Sequence, residues 1–262
     1  MHRRSQESPP LRTLLVRSGI LNATTGLAIL GLLGHAINAH LGLSGWATLR
    51  TLCLFAAALT WLYRYLDQHL PHQRIHAANQ VTLVRLGLTA LIAGWIGEPI
   101  DPAPWLPMAV AGLVLLLDGV DGWLARRGGW ASAFGAKFDM ETDALLVLIL
   151  AALLWSQDKT GAWVLFAGLA RYVFVLSARF WSWLAQPLPH SRRRQTFCVL
   201  IVLTLLLTLA PPIQPPLSLA SAVLAIAFTA YSFGIDVWWL WRRRPAASPG
   251  RRDRLGVEPP KA

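Results

Sequence analysis

The sequence predicts an all-α protein, a polytopic bundle of transmembrane helices, and three observations carry that prediction. Of the 262 residues, 55% are hydrophobic and only 14% charged, with a mean hydropathy of +0.45, a balance rarely met in soluble domains. Apolar runs of about 20 residues, the length that crosses a hydrocarbon layer, recur along the whole chain. The 24 Lys and Arg against 13 Asp and Glu, a net charge of +11, fall mostly in the short segments between those runs. That placement reads as topology signals and contacts with anionic membrane lipids, not as a nucleic-acid surface.

About eight helices follow, taken in order. The first, 19–41, is diluted by Asn22, His35, Asn38 and His40, of which His35, Asn38 and His40 are expected to hydrogen-bond to neighbouring helices. Arg3, Arg4, Arg12 and Arg17 precede it as they would a signal peptide. The run is longer than a signal core and leads into more spans, so it is expected to stay uncleaved. Next come 47–66 and 79–97, the latter opening with Asn79, Thr82 and Arg85 on one face. After the turn formers Glu98-Pro99-Ile100-Asp101-Pro102 come 105–126, 137–156, 161–185 and 196–211; Pro211-Pro212-Ile213-Gln214-Pro215-Pro216 then leads into 217–242. Trp181, Trp183, Trp238, Trp239 and Trp241 fit membrane interfaces. His69, His72 and His76 flank Pro71, which favours a solvated loop over a metal site. Cys53 and Cys198 lie far apart in separate apolar runs, which argues against a disulfide or a thiolate metal centre.

The expected division is a 1–78 extension with two helices, a 79–242 core, and a disordered basic tail at 243–262. In an eight-span topology every basic segment falls on one side: the N-terminus, Arg64 and Arg74, Arg126, Arg127 and Lys137, Arg192 to Arg194, and the stretch from Arg242 onward. That side is expected to be the cytoplasm, with both termini on it.

The chemistry is concentrated in four carboxylates. Asp118 and Asp121 end one apolar run, and Asp139 and Asp143 begin the next. Residues three and four apart share a helix face, and the short loop at 127–134 predicts that the two helices pack as antiparallel neighbours with all four carboxylates converging. Carboxylates at the edge of hydrocarbon serve an ion, a proton path or a partner. A hard oxygen cluster without nearby Cys favours Mg²⁺ or Mn²⁺. A proton-coupled carrier could use such carboxylates too, and a catalytically silent scaffold could retain them.

The spacing separates these readings. Asp118, two residues, Asp121-Gly122, two residues, Ala125-Arg126, eight residues, Gly135, three residues, Asp139, three residues, Asp143 resembles the signature of the CDP-alcohol phosphotransferase family at every fixed position. Asn79, Thr82 and Arg85 resemble the start of its first core helix, so the resemblance covers about 79–242, a six-helix core. It implies an inner-membrane, homodimeric enzyme of phospholipid synthesis. Two divalent ions, Mg²⁺ or Mn²⁺, would be held by Asp118, Asp121, Asp139 and Asp143, with Asp143 also the general base. The donor would be CDP-diacylglycerol, the acceptor a small or lipid alcohol, and CMP the leaving group. The resemblance further implies donor contacts at Asn79, Thr82, Arg85, Gly122, Ala125, Arg126, Ser132 and Gly135. It implies acceptor contacts at Arg171, Arg192, Arg193 and Arg194. The sequence departs from members that make phosphatidylglycerophosphate, which carry Arg-Glu and Gly-Lys-x-Lys-Thr where this chain has Arg171-Tyr172 and Ser191-Arg192-Arg193-Arg194-Gln195-Thr196. Basic character survives there, and glycerol 3-phosphate is the first expectation for the acceptor.

Overall fold

A computed structural model describes residues 11–243 except 71, 102, 187 and 190. Arg3, Arg4 and, from 244 onward, the tail expected to be disordered lie outside the described residues. Among the latter, eight long helices account for the architecture and no strand occurs. They are α1 (Leu11–His40), α2 (Gly45–Tyr63), α3 (Ala77–Gly94), α4 (Leu106–Gly128), α5 (Ala133–Ser156), α6 (Leu165–Phe180), α7 (Arg192–Thr208) and α8 (Leu217–Arg242). By length and composition α1 to α4, the stretch Ala162–Phe180 and α8 can cross a membrane. Of the other two, α5 carries Asp139, Glu141 and Asp143 in its first half, and α7 is 17 residues long. The protein is therefore multi-pass.

Of the boundaries that differ from expectation, three have a clear local reason. Helix α1 starts eight residues early because its polar first turns are tied down. Arg12 Nε donates to Asp67 Oδ1 at 2.9 Å, and Ser18 Oγ accepts from the Ile75 amide at 3.1 Å. The expected helix 161–185 breaks where Trp181 takes an extended backbone, φ −116° and ψ 99°, between α6 and a 3₁₀ turn at Ser182–Ala185. Helix α7 begins at Arg192, so Arg192 to Arg194 form its first turn and not a loop. Cations at a helix N-terminus oppose the backbone dipole. Asp236 of α8 offsets this by accepting from Arg193 Nη2 and lying 3.9 Å from Arg194 Nη1.

Helix α3 is the inner element, and α1, α2, α4 and α5 all pack on it. The expected direct packing of α4 on α5 is not found: each lies chiefly against α3, which stands between them. Two helix ends bearing two carboxylates each repel, and α3 brings Arg85 between them, so convergence is reached through a third helix. Small residues permit the closest crossings. A Cβ at Gly168 would lie 2.4 Å from Leu148 Cα of α5, and one at Gly94 would lie 2.6 Å from the Ala47 carbonyl of α2.

Two apolar clusters result. The larger joins Leu91, Trp95, Leu150, Leu154, Leu205 and Ala222 on the half away from the carboxylates. The smaller joins Leu15, Phe55 and Leu62 of the N-terminal extension with Leu86, Phe134 and Phe138 near them. At the far end, Arg50 and Ser44 bind Glu98. Lys159 Nζ donates to the Thr208, Leu209 and Ala210 carbonyls at 3.1, 3.0 and 2.7 Å, closing the end of α7. Asn38 is buried as expected of an interhelical partner, bonded to Thr48 and to the Trp95 indole, whereas His35 and His40 are exposed.

Candidate active site

The four aspartates meet on one guanidinium. Arg85, on α3 and 1% exposed, places Nη1 2.6 Å from both Asp121 Oδ2 and Asp139 Oδ1; its Nη2 lies 2.7 Å from Asp118 Oδ1 and also binds Asp143. Thr82, one turn earlier on the same face, donates to Asp121 Oδ2 at 2.9 Å. These charged hydrogen bonds are the strong kind, and they set the carboxylates before any substrate arrives. Four carboxylates against one guanidinium leave three negative charges unmatched. Oxygens of Asp118, Asp121 and Asp139 lie within 4.8 Å of one another, close enough to share a cation. Hard anionic oxygens with an excess of negative charge are what Mg²⁺ or Mn²⁺ requires, so the donor set fits a divalent ion. Asp143 stands at the edge of this group, with Cys198 Sγ of α7 3.8 Å from its Oδ2.

The loop between α4 and α5 gives the site its rim. Helix α4 ends at Gly129, whose φ of 65° is the left-handed turn glycine tolerates best. Helix α5 then starts under a side-chain cap, Ser132 Oγ accepting from the Gly135 amide at 3.0 Å. Gly135 is small because Asn79 closes on it: a Cβ there would lie 2.8 Å from Asn79 Oδ1. Asn79, Thr82, Arg85, Ser132 and Gly135 thus all gather at the array, where Thr82 and Arg85 hold carboxylates directly. At Gly122 a Cβ would meet only the Arg126 side chain, at 3.2 Å from Nη1. Ala125 is half-buried and Arg126 exposed beside the array.

The basic residues expected at an acceptor separate into two groups. Arg171 binds Glu141 of α5, and Arg193 binds Asp236 of α8, so each already has a carboxylate. Arg192 is exposed. Arg194 donates to the Pro189 carbonyl and lies four residues before Cys198, on the same face of α7. Glu141 and Asp236 were missed at the level of sequence, although a carboxylate inside an apolar run already signals a partner. The histidine segment differs from expectation more sharply. His69 is fully buried, not solvated, and its ring bonds to Ser132 Oγ and the Arg74 carbonyl. No sequence signal beyond three nearby histidines pointed to it.

Comparison with known proteins agrees with this geometry. Residues 75–231, well over half of the chain, match the model of the CDP-alcohol phosphatidyltransferase family. A curated relative from Pseudomonas fluorescens, named CDP-diacylglycerol--glycerol-3-phosphate 3-phosphatidyltransferase, is 26% identical over 180 residues, 65% of this chain and 89% of its own. No solved structure matches. A carrier or a proton path has no need of Gly122, Ala125 and Arg126 in register with the aspartates, whereas the matched segment contains the whole array and its loop: the chain belongs to the CDP-alcohol phosphatidyltransferase family, transferases of substituted phosphate groups.

Proposed function

We propose that this chain is a divalent-metal-dependent enzyme that moves the phosphatidyl group of CDP-diacylglycerol to glycerol 3-phosphate. The observation that carries the proposal is the convergence of Asp118, Asp121, Asp139 and Asp143 on Arg85 with excess negative charge. The name of the relative supports the choice of donor and acceptor. Asp118, Asp121, Asp139 and Asp143 are the residues that would hold divalent cations. Bound there, Mg²⁺ or Mn²⁺ would supply positive charge against the diphosphate and the reacting oxygens. Arg126, exposed at the same helix end, pairs with the donor phosphates as a charged fork.

The acceptor hydroxyl gives its proton to Asp143 as its oxygen bonds to the β-phosphorus. The bond from that phosphorus to the bridging oxygen breaks, and CMP leaves with the oxygen. A general base must reach the incoming hydroxyl; Asp143 lies at the edge of the carboxylate group, facing α7. Arg194, one turn from Cys198, is the cation we assign to the acceptor phosphate, because Arg171 and Arg193 each bind a carboxylate directly, whereas Arg194 lies 3.9 Å from an Asp236 that Arg193 already occupies. Bonds from Arg12 to Asp67, His69 to Ser132, Cys198 to Asp143 and Arg193 to Asp236 tie basic segments and array to one end of the bundle. By the positive-inside rule this end faces the cytoplasm, where CDP-linked donors form.

Release of CMP from CDP-diacylglycerol in proteoliposomes, with Mg²⁺ or Mn²⁺ and a panel of acceptors, tests the proposal. Turnover is expected with glycerol 3-phosphate and none in EDTA. Metal-dependent turnover only with another alcohol would overturn the acceptor, and turnover in EDTA would overturn the metal.

A further inference from the structure

His69 precedes the segment that matches the family, yet it reaches the rim of the site. Its ring is fully buried. One nitrogen, Nε2, lies 3.0 Å from the Arg74 carbonyl, which can only accept, so Nε2 carries the hydrogen. The other, Nδ1, lies 2.7 Å from Ser132 Oγ. In the neutral ring Nδ1 is then an acceptor, and burial favours the neutral ring by holding this imidazole below its ordinary range. The Ser132 hydroxyl therefore donates to His69 while accepting from the Gly135 amide. With its hydrogen committed, Ser132 presents a lone pair, not a donor, to whatever binds beside it.

The surroundings hold His69 in place from several sides. Phe134, at the start of α5, meets its ring edge-on at 5.6 Å, and His76 stacks on Trp130 of the α4–α5 loop with planes 7° apart. The segment itself is tied to α1 through Arg12–Asp67 and Ser18–Ile75. The array's loop is thus clasped by a segment that α1 anchors.

From this geometry we infer that His69 is a positioning residue for the nucleotide, fixing Ser132 and the α4–α5 loop from the N-terminal extension. The inference rests on the reading of Ser132 as a donor contact and gives the extension a part in the active site. An amide can replace either ring nitrogen: asparagine puts an acceptor near Nδ1, whereas glutamine puts a donor near Nε2 and leaves Ser132 without its acceptor.

The test is Mn²⁺-dependent binding of CDP to the purified full chain, by titration calorimetry. His69→Gln and Ser132→Ala should each weaken CDP about tenfold, the worth of one charged or well-placed hydrogen bond. His69→Asn should recover most of the loss, and the double variant H69Q/S132A should bind no more weakly than S132A. Equal weakening by H69N and H69Q would reduce His69 to a packing residue and overturn the inference, as would wild-type affinity in H69Q. If H69Q does not yield folded protein, unchanged CDP affinity in S132A overturns it alone. Wild-type protein that fails to bind CDP with Mn²⁺ would instead overturn the functional reading beneath it.

Discussion

Replacing Arg85 with methionine removes the one charge on which the array closes while keeping an unbranched apolar stem. The guanidinium is 1% exposed and contacts four carboxylates, of which Asp121 is 5% exposed. Breaking a buried ion pair from one side leaves an unmatched charge and costs about 3–5 kcal/mol. Here the partners left behind are four mutually repelling anions, so the upper part of that range applies in the absence of cations. For a chain of this size, 1 kcal/mol moves the unfolding midpoint by about 2–4 °C, so about 4–5 kcal/mol makes the expected fall about 8–20 °C. The assay is thermal unfolding of detergent-purified protein in EDTA and in MnCl₂. R85M should melt well below wild type in EDTA and regain more than wild type on adding Mn²⁺, because the cation finds one more negative charge to neutralise. A midpoint within about 2 °C of wild type in EDTA would refute the claim that Arg85 organises the array.

Asp143→Asn should lower turnover by about 10²–10⁴ while Mn²⁺-dependent CDP binding persists, since a general base contributes on that scale; unchanged turnover in the CMP-release assay would remove the base role. Lys159→Met strips the Thr208 and Leu209 carbonyls at the end of α7 of their donor, whereas the Ala210 carbonyl keeps the Ile213 amide. It should cost about 1–3 kcal/mol per carbonyl left unsatisfied, read as a lower melting midpoint with the CDP affinity of the remaining folded protein unchanged. His69 and His76 are both held below the ordinary imidazole range, chiefly by burial. The unfolded chain then takes up protons that the folded one refuses. Stability should be full above about pH 6.5 and fall as pH drops from there toward the folded values. His69→Asn should flatten part of that limb in melting curves recorded from pH 7.5 to 5, and an unchanged limb would exclude His69 as a contributor.

Much of this was legible in the sequence. Period and length reveal helices wherever hydrocarbon demands continuous apolar runs, and the spacing from Asp118 to Asp143 places four carboxylates on two helix ends. What spacing cannot supply is the third body. That α3 stands between α4 and α5 depends on tertiary packing, and so Arg85 reads as a donor contact until its four partners are seen. The start of α7 was misplaced because three consecutive arginines look like a loop, and only Asp236, 42 residues after Arg194, makes them tolerable in a first helical turn. His69 illustrates the limit most plainly. A histidine beside Pro71 has no periodic context, and its burial comes from α1 and the α4–α5 loop together.

Charge matching separates structural ion pairs from a working site in this protein. A charge withdrawn from water in or near hydrocarbon is tolerated when paired, and two such pairs are matched one to one: Arg171 with Glu141 and Arg50 with Glu98. Lys159 meets three carbonyl dipoles instead. Asp236 is approached by two arginines, an excess of positive charge at the head of α7 beside the array. Only the Asp118–Asp143 array, among the described residues, sets several anions against a single cation. Folding alone would not select that ratio, because replacing any one aspartate by asparagine would relieve repulsion and keep a polar contact with Arg85. The surplus fits a divalent cation that these carboxylates would hold, supplying the missing positive charge. This implies that Asp118→Asn, Asp121→Asn and Asp139→Asn should each weaken Mn²⁺-dependent CDP binding while raising the melting midpoint in EDTA. If all three lowered that midpoint, the surplus would be structural, and the electrostatic case for the site would fail.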